Sequence, residues 1–296
     1  MKRTTLFHYC MLLVALTVGP SLFGLTCRPV TIQLFSETSK LGRVANRLTT
    51  ELVTRLYSMR RLQDAYIKAN ADPAPGDFFT KFLNQLEISI DVRPSDAEKI
   101  PATGSALIAA DHSFGFVDGA AAMSLVKRRR TDVKVLMFDL MTVEGIKDDI
   151  IPIRLLGNKE HRKQALEEAR KWLAEGHCLV IFPAGQVASY RKETRSVAEW
   201  PWRPGAARLA LATQSVVIPM HIPGSNSYSF QALRRVSKLV SAIRFPAETL
   251  RLRGQAIPIY VGDPIAAKDL PPTEDQATAY IFQKYANLKK EVEGRE

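Results

Sequence analysis

From Pro94 to the C-terminus, short apolar runs alternate with segments of helical period, and that alternation most restricts what the chain can fold into. ALIAAD (106–111), VKVLMF (133–138), HCLVIFP (177–183), VVIPMHI (216–222) and AIPIYVG (256–262) read as strands. Between them, GAAAMSLVKRRR (119–130) reads as a helix ending in cations, as a helix dipole favours. Asn158 caps a second helix, KEHRKQALEEARKWLAEG, whose Ala165, Leu166, Ala169, Trp172 and Leu173 share one face and whose Gly176 supplies the stop. PGAARLALAT (204–213) is a third, and a last helix starts at Thr273, with Gln276 in capping-box position, and runs towards Val292. The expected fold is a single α/β domain over residues 95–296, with a central mixed sheet flanked by helices. No fixed-period repeat is present, which excludes solenoids.

The first 94 residues have a different texture. Between Thr4 and Cys27 there is no Asp, Glu, Lys or Arg, and the run MLLVALTVGPSLFGLT follows Lys2 and Arg3. A cleaved signal peptide, a single spanning helix and an in-plane or re-entrant anchor broken at Gly19 and Pro20 all fit residues 1–30. The absence of an Ala-x-Ala site and the Gly-Pro break favour the anchor. Residues 31–94 read as an amphipathic helical region. In LGRVANRLTTELVTRLYSMRRLQDAYIKAN, the apolar stripe of Leu41, Val44, Leu48, Leu52, Leu56 and Tyr66 is flanked by Arg43, Arg47, Arg55, Arg60 and Arg61, as on a helix lying on anionic lipid or packed on a domain. Asp77 is placed to cap DFFTKFLNQL, whose Phe78, Phe79, Phe82, Leu83 and Leu86 suit a bilayer interface or a core.

Charge narrows the partners. Lys and Arg number 41 against 30 Asp and Glu, a formal charge of +11, which suits anionic partners: nucleic acid, acidic lipid or an acidic carrier protein. The cations are spread, and no zinc-finger, RNP or helix-turn-helix pattern appears, which argues against nucleic acid. Cys10, Cys27 and Cys178 form no Cys-x-x-Cys pair, so neither a disulfide framework nor structural zinc is expected.

Chemistry-bearing residues gather at strand ends. His112 follows ALIAAD directly, and Asp118 lies six positions on, close enough to orient an imidazole acting as general base. The plainer alternative is a helix-capping aspartate beside a surface histidine. Gly115 and Gly119 let the turn between them fold back tightly. In IFPAGQVAS (181–189), the amides near Gly185 with Gln186 and Ser189 suit an anionic headgroup or an oxyanion, or form a plain turn. Arg154 closes IPIR and can fork onto phosphate or carboxylate.

Taken in order, these pieces resemble the glycerolipid (1-acylglycerol-3-phosphate, PlsC-like) acyltransferase superfamily, and more closely its branch of hemolysin-like and lyso-ornithine-lipid acyltransferases. The superfamily's His-x4-Asp block corresponds to DHSFGFVDG, here His-x5-Asp and similar to the branch's HPxGGLDG. IPIR corresponds to the second block, and FPAGQ to the third, with Gln186 where an acid is usual. VVIPMHIPGSNS resembles the fourth, its GSNS standing for the branch's GRNS, while WRPGAARLALAT and RLRGQAIPIYVGDPI match in order and placement. The likeness covers roughly residues 95–270.

The resemblance implies an acyltransferase-type α/β domain, anchored at the cytoplasmic membrane and facing the cytoplasm. Its implied activity is transfer of a fatty acyl group from acyl carrier protein or acyl-coenzyme A to the hydroxyl of a lysolipid, lysophosphatidic acid or lyso-ornithine lipid. It implies that His112 takes the hydroxyl proton and Asp118 supports the imidazole. Arg154 and the turn of Phe182, Pro183, Gly185, Gln186 and Ser189 would hold the acceptor headgroup, with no metal or cofactor. Rival readings are a thioesterase or lipid hydrolase, in which the same pair activates water, and a catalytically silent lipid-binding protein. A serine hydrolase is disfavoured because no Gly-x-Ser-x-Gly elbow surrounds Ser113, Ser189 or Ser225.

Overall fold

A computed structural model of the chain describes residues 57–138, 144–153, 158–237, 241 and 244–294. The segment read as an anchor, the first part of the basic amphipathic helix, Arg154, Cys10 and Cys27 lie outside these residues. The chain divides into Met1–Leu62, of which residues 57–62 are described and helical, and Gln63–Glu296, to which everything below refers. Among the described residues no helix is long and apolar enough to cross a membrane.

Among the described residues the strands are β1 (Ser89–Asp91), β2 (Ala106–Ala110), β3 (Val133–Phe138), β4 (Ile150–Ile153), β5 (Cys178–Ile181), β6 (Ser189–Arg191), β7 (Ser196–Ala198), β8 (Val216–His221), β9 (Ala256–Pro258) and β10 (Tyr260–Val261). The principal helices are α1 (Phe78–Gln85), α2 (Phe116–Lys127), α3 (Lys159–Ala174), α4 (Gly205–Thr213), α5 (Tyr228–Val236), α6 (Phe245–Arg251) and α7 (Glu274–Glu293). Six strands form the main sheet in the order β10-β8-β2-β5-β3-β4. All neighbours are parallel except β10, which runs antiparallel along β8, so the sheet is mixed as expected.

Every residue of β2 and β5 is buried, because both faces of a parallel sheet are covered and a central strand reads as an unbroken apolar run. Alternate strand residues, Leu107, Ala109, Leu136, Ile151, Leu179, Ile181 and Val217, share a cluster with Ala165, Ala169 and Leu173 of α3, Ala206, Ala207 and Leu209 of α4, and Ala277, Ile281 and Tyr285 of α7. Elsewhere α2 packs on β3 and β5 and is itself covered by α1. Nine residues of α2 between Val117 and Val126 are buried, which explains why its sequence is apolar all round instead of striped. Phe78, Phe79, Phe82 and Leu83 of α1 are buried too, so this aromatic segment is core. Thr80 Oγ1 and Ser124 Oγ, 2.7 Å apart, bond within that layer.

The caps follow the sequence. Asp77 accepts from the amides of Phe79 and Thr80, Asn158 from His161 and Thr273 from Gln276. Two expectations need correction, and one element is added that the sequence reading left open. The helix read from 119 begins at Phe116, because Gly115 in a left-handed conformation and the Asp118 carboxylate start it one turn earlier. AIPIYVG is two strands: β9 pairs in parallel with β1 in a separate two-stranded sheet, and β10 joins the main one. The segment after IFPAG continues into an antiparallel hairpin, β6 to β7.

The chain leaves β2 towards β3 on one side and leaves β5 towards β8 on the other, although β2 and β5 are adjacent. A crevice opens where such connections diverge, at the carboxyl ends of the strands. Asp111 and His112, Phe182 and Pro183, and His221 all stand at those ends.

Candidate active site

His112 and Asp118 meet. The imidazole Nδ1 lies 2.9 Å from Asp118 Oδ2, which also accepts the Phe114 and Gly115 amides at 2.8 Å each. The extra residue in His-x5-Asp is absorbed by the turn at Gly115, φ +105°, whose amide becomes one of the donors. An oxygen accepting two amides accepts a third donor from the ring, so Nδ1 carries the hydrogen and Nε2 the lone pair. Asp118 is fully buried, while the His112 side chain keeps 20% of its surface exposed. The pair therefore has a protected carboxylate and an accessible base. Burial pushes the Asp118 carboxyl above its ordinary range, with His112 and the two amides pulling the other way.

The loop holding the dyad is fastened from all sides. Ser113 Oγ donates to the Ile222 carbonyl (2.8 Å), and Asn226 Nδ2 donates to the carbonyls of Ser113 (3.3 Å) and Phe114 (3.4 Å). The Phe114 ring lies over Gly224, and the Phe245 ring over Gly115, each where a Cβ would stand. The GSNS segment thus supports the base, with Ser227 in turn held by Glu248 of α6. On its open side the imidazole lies against Phe182, ring centroids 4.5 Å apart, which limits its rotation.

A second histidine–aspartate pair stands one strand away. His221 Nδ1 donates to Asp111 Oδ2 at 2.7 Å, the same oxygen accepts from Tyr285 of α7 at 3.1 Å, and Asp111 Oδ1 accepts the Ile222 amide at 2.8 Å. His221 is 3% exposed, which leaves it no access to substrate and gives the pair a structural role. Beside it, Glu199 Oε2 accepts the His112 amide (3.2 Å). Burial, then the nearby charge of Asp111, pushes Glu199 up to about 8. Glu199 is therefore mainly neutral at pH 7 and adds little negative charge behind the dyad. A cavity of about 230 Å³ reaches Glu199, Phe282, Tyr285 and Lys289 but includes neither dyad residue.

Of the other sequence-derived candidates, the FPAGQ turn is at the site and Ser189 is occupied. The Gly185 amide closes the turn onto the Phe182 carbonyl (2.9 Å), Pro183 accepts from the Arg203 amide (3.1 Å), and Ala188 donates to the His112 carbonyl (2.6 Å). Ser189, buried, accepts the Trp200 indole hydrogen at 2.9 Å, a packing bond from the start of the hairpin to the segment that follows it. Gln186 Oε1 lies 3.4 Å from an Nη of Arg234, a residue of α5 that sequence reasoning passed over. Among the described residues no group of three or more His, Cys, Asp or Glu is arranged to hold a metal ion. Cys178 is buried in β5, and burial pushes its thiol up to about 12, which makes it inert.

The geometry can be set beside known proteins. A family model described as Acyltransferase matches residues 75–285. A lyso-glycine lipid O-acyltransferase of Phocaeicola vulgatus is 23% identical over 229 residues, covering 75% of this chain and 80% of that protein. Another of the same description, from Bacteroides thetaiotaomicron, is 23% identical over 211 residues, 68% of this chain and 75% of that protein. Among solved structures, the 1-acyl-sn-glycerophosphate (LPA) acyltransferase PlsC of Thermotoga maritima aligns with a TM-score of 0.47 and 15% identity, over 82% of this chain and 97% of that one. The family match spans far more than half of the chain, from α1 into α7, and takes in the dyad and everything that fastens it. This chain belongs to the acyltransferase family and is an acyl-transferring enzyme.

Proposed function

We propose that the protein is a membrane-associated O-acyltransferase that moves a fatty acyl group from acyl carrier protein or acyl-coenzyme A to the hydroxyl of a lysolipid. The observation that carries this reading is the dyad: a partly exposed imidazole whose Nδ1 is committed to a fully buried aspartate, leaving Nε2 as a base at the carboxyl edge of the sheet. In the reaction, Nε2 accepts the hydroxyl proton as the lysolipid oxygen attacks the thioester carbonyl. Asp118 stabilises the imidazolium that forms. The C–S bond then breaks, and the proton passes from the imidazolium to the leaving sulfur, giving an ester and a free thiol. Every atom is accounted for without a covalent enzyme intermediate.

The two relatives act on a lyso-glycine lipid, which favours an acceptor with an amino-acid headgroup over lysophosphatidic acid. Acyl thioesters are made in the cytosol, so the reading puts Gln63–Glu296 on the cytoplasmic face, at a bilayer whose anionic lipids suit the +11 charge. The test is transfer of labelled acyl groups from both donors to a panel of lysolipids, with His112→Ala alongside. Label on one lysolipid in the wild type alone is the expected result. Free fatty acid released regardless of acceptor would replace transfer by hydrolysis, and activity surviving in His112→Ala would remove the dyad from the chemistry. Alkaline phosphatase activity from a periplasm-reporting fusion at Glu296 would overturn the cytoplasmic placement.

A further inference from the structure

Arg234 is out of keeping with the other inward-turned arginines. Arg130 is paired bidentately with Asp132, and Arg244 lies beside the buried carboxylate of Glu248. Arg234 is half-buried, with Nε shielded from solvent and without a hydrogen-bond partner. Among the described residues its Nη2 reaches only two neutral oxygens, Gln186 Oε1 and the Val187 carbonyl, both at 3.4 Å, the outer limit of a hydrogen bond. Among the described residues no carboxylate offsets it, and desolvation alone weakens its hold on the proton. A buried guanidinium left uncompensated is costly, and it cannot escape by losing its proton. The dipole of α5 accounts for a cation in the last turn, but Arg235 already supplies one on the outside, stacked on Tyr190. The dipole does not explain why Arg234 turns inward.

Its position supplies the explanation. Val187, whose carbonyl it touches, precedes Ala188, whose amide is bonded to the His112 carbonyl at 2.6 Å. The guanidinium thus stands on the turn between FPAG and the dyad. We propose that Arg234 binds the oxyanion of the acceptor's headgroup, a carboxylate or phosphate supplying the counter-charge that the protein withholds. The inference rests on the lysolipid reading and adds to it that the acceptor is anionic. Gln186 fits the same logic: a glutamate in its place would satisfy the guanidinium internally and compete with the acceptor.

The experiment compares wild type, R234M, R234K and Q186E on three acceptors: lyso-glycine lipid, its methyl ester, and lysophosphatidic acid. KM is taken separately for acceptor and donor. R234M is expected to raise KM at least tenfold for the anionic acceptor that the wild type prefers, to leave the ester within twofold, and to leave donor KM unchanged. R234K should recover part of the loss and Q186E should resemble R234M. The preferred anion decides between carboxylate and phosphate. Equal losses on acid and ester, or a shift in donor KM instead, would overturn the assignment. Equilibrium binding of the same lipids in detergent micelles separates this inference from the transfer reading. Anionic lipid bound by wild type and released by R234M upholds Arg234 even without turnover, whereas equal binding by both refutes it. A melting temperature for R234M at or above that of the wild type is expected of an uncompensated buried charge. A fall of several degrees would make Arg234 a structural residue and sink the proposal.

Discussion

The ring of Phe114 occupies the space above Gly224 that any side chain at that position would need. Gly224 also has φ +137°, a conformation that other residues adopt only under strain. Because the Phe114 amide is one of the donors to Asp118, displacing the ring disturbs the dyad at its hinge. Gly224→Ala is therefore expected to lower kcat tenfold or more, with a stability loss of about 1–3 kcal/mol. Steady-state kinetics beside a thermal melt would check this, and unchanged kcat would separate the GSNS segment from catalysis.

His112→Ala and Asp118→Asn should each reduce kcat by about 10²–10⁴, for different reasons. In the proposed mechanism the first deletes the base, while the second leaves a base without its counter-charge. Their combination should cost little more than the worse single change, since the two act as a unit. Fully additive losses in the double mutant would refute a shared proton transfer.

Glu199 predicts a dependence of stability on pH. Its folded value, about 8, lies above its ordinary value of 4.5, so between these limits the folded state holds a proton that the unfolded state has lost. Folding is then progressively penalised as pH rises from 4.5 to 8, at up to about 1.4 kcal/mol per unit, and the penalty is constant above that. Glu199→Gln should flatten this slope and raise the melting temperature at pH 8.5 more than at pH 5. Parallel melting curves for the two proteins would show that Glu199 does not titrate in this window.

Asp111 gathers three donors from elements distant in sequence: His221 at the end of β8, the Ile222 amide, and Tyr285 in α7. Asp111→Ala orphans all of them in a dry interior, and a loss of about 3–5 kcal/mol follows. Tyr285→Phe, which removes one neutral donor, should cost about 1 kcal/mol. Chemical denaturation measures both, and equal losses would contradict the role given to Asp111.

The strands were legible in the sequence because a sheet covered on both faces leaves unbroken apolar runs, as in ALIAA and CLVI. The contact of His112 with Asp118 was legible because the two lie only six positions apart, across one tight turn of chain. Asp111 with His221 was not, since their contact depends on β2 and β8 becoming neighbours, which no local spacing encodes. Arg234 escaped for a related reason. In sequence it is one of a pair of cations in a helix's last turn, and only packing distinguishes the one turned inward from the one turned out. The split of AIPIYVG was hidden too, because Ile257 and Val261 are equally apolar although they serve different sheets.

The register of β2 has a consequence for how the chain is made. Ala106 pairs with Cys178 on one side and Val216 on the other, both far downstream. During synthesis this wholly apolar strand leaves the ribosome with both edges open, and its last partner emerges only after most of the protein has been translated. Nascent chains truncated between β5 and β8 expose one unpaired edge of β2, the kind of surface that recruits chaperones or aggregates.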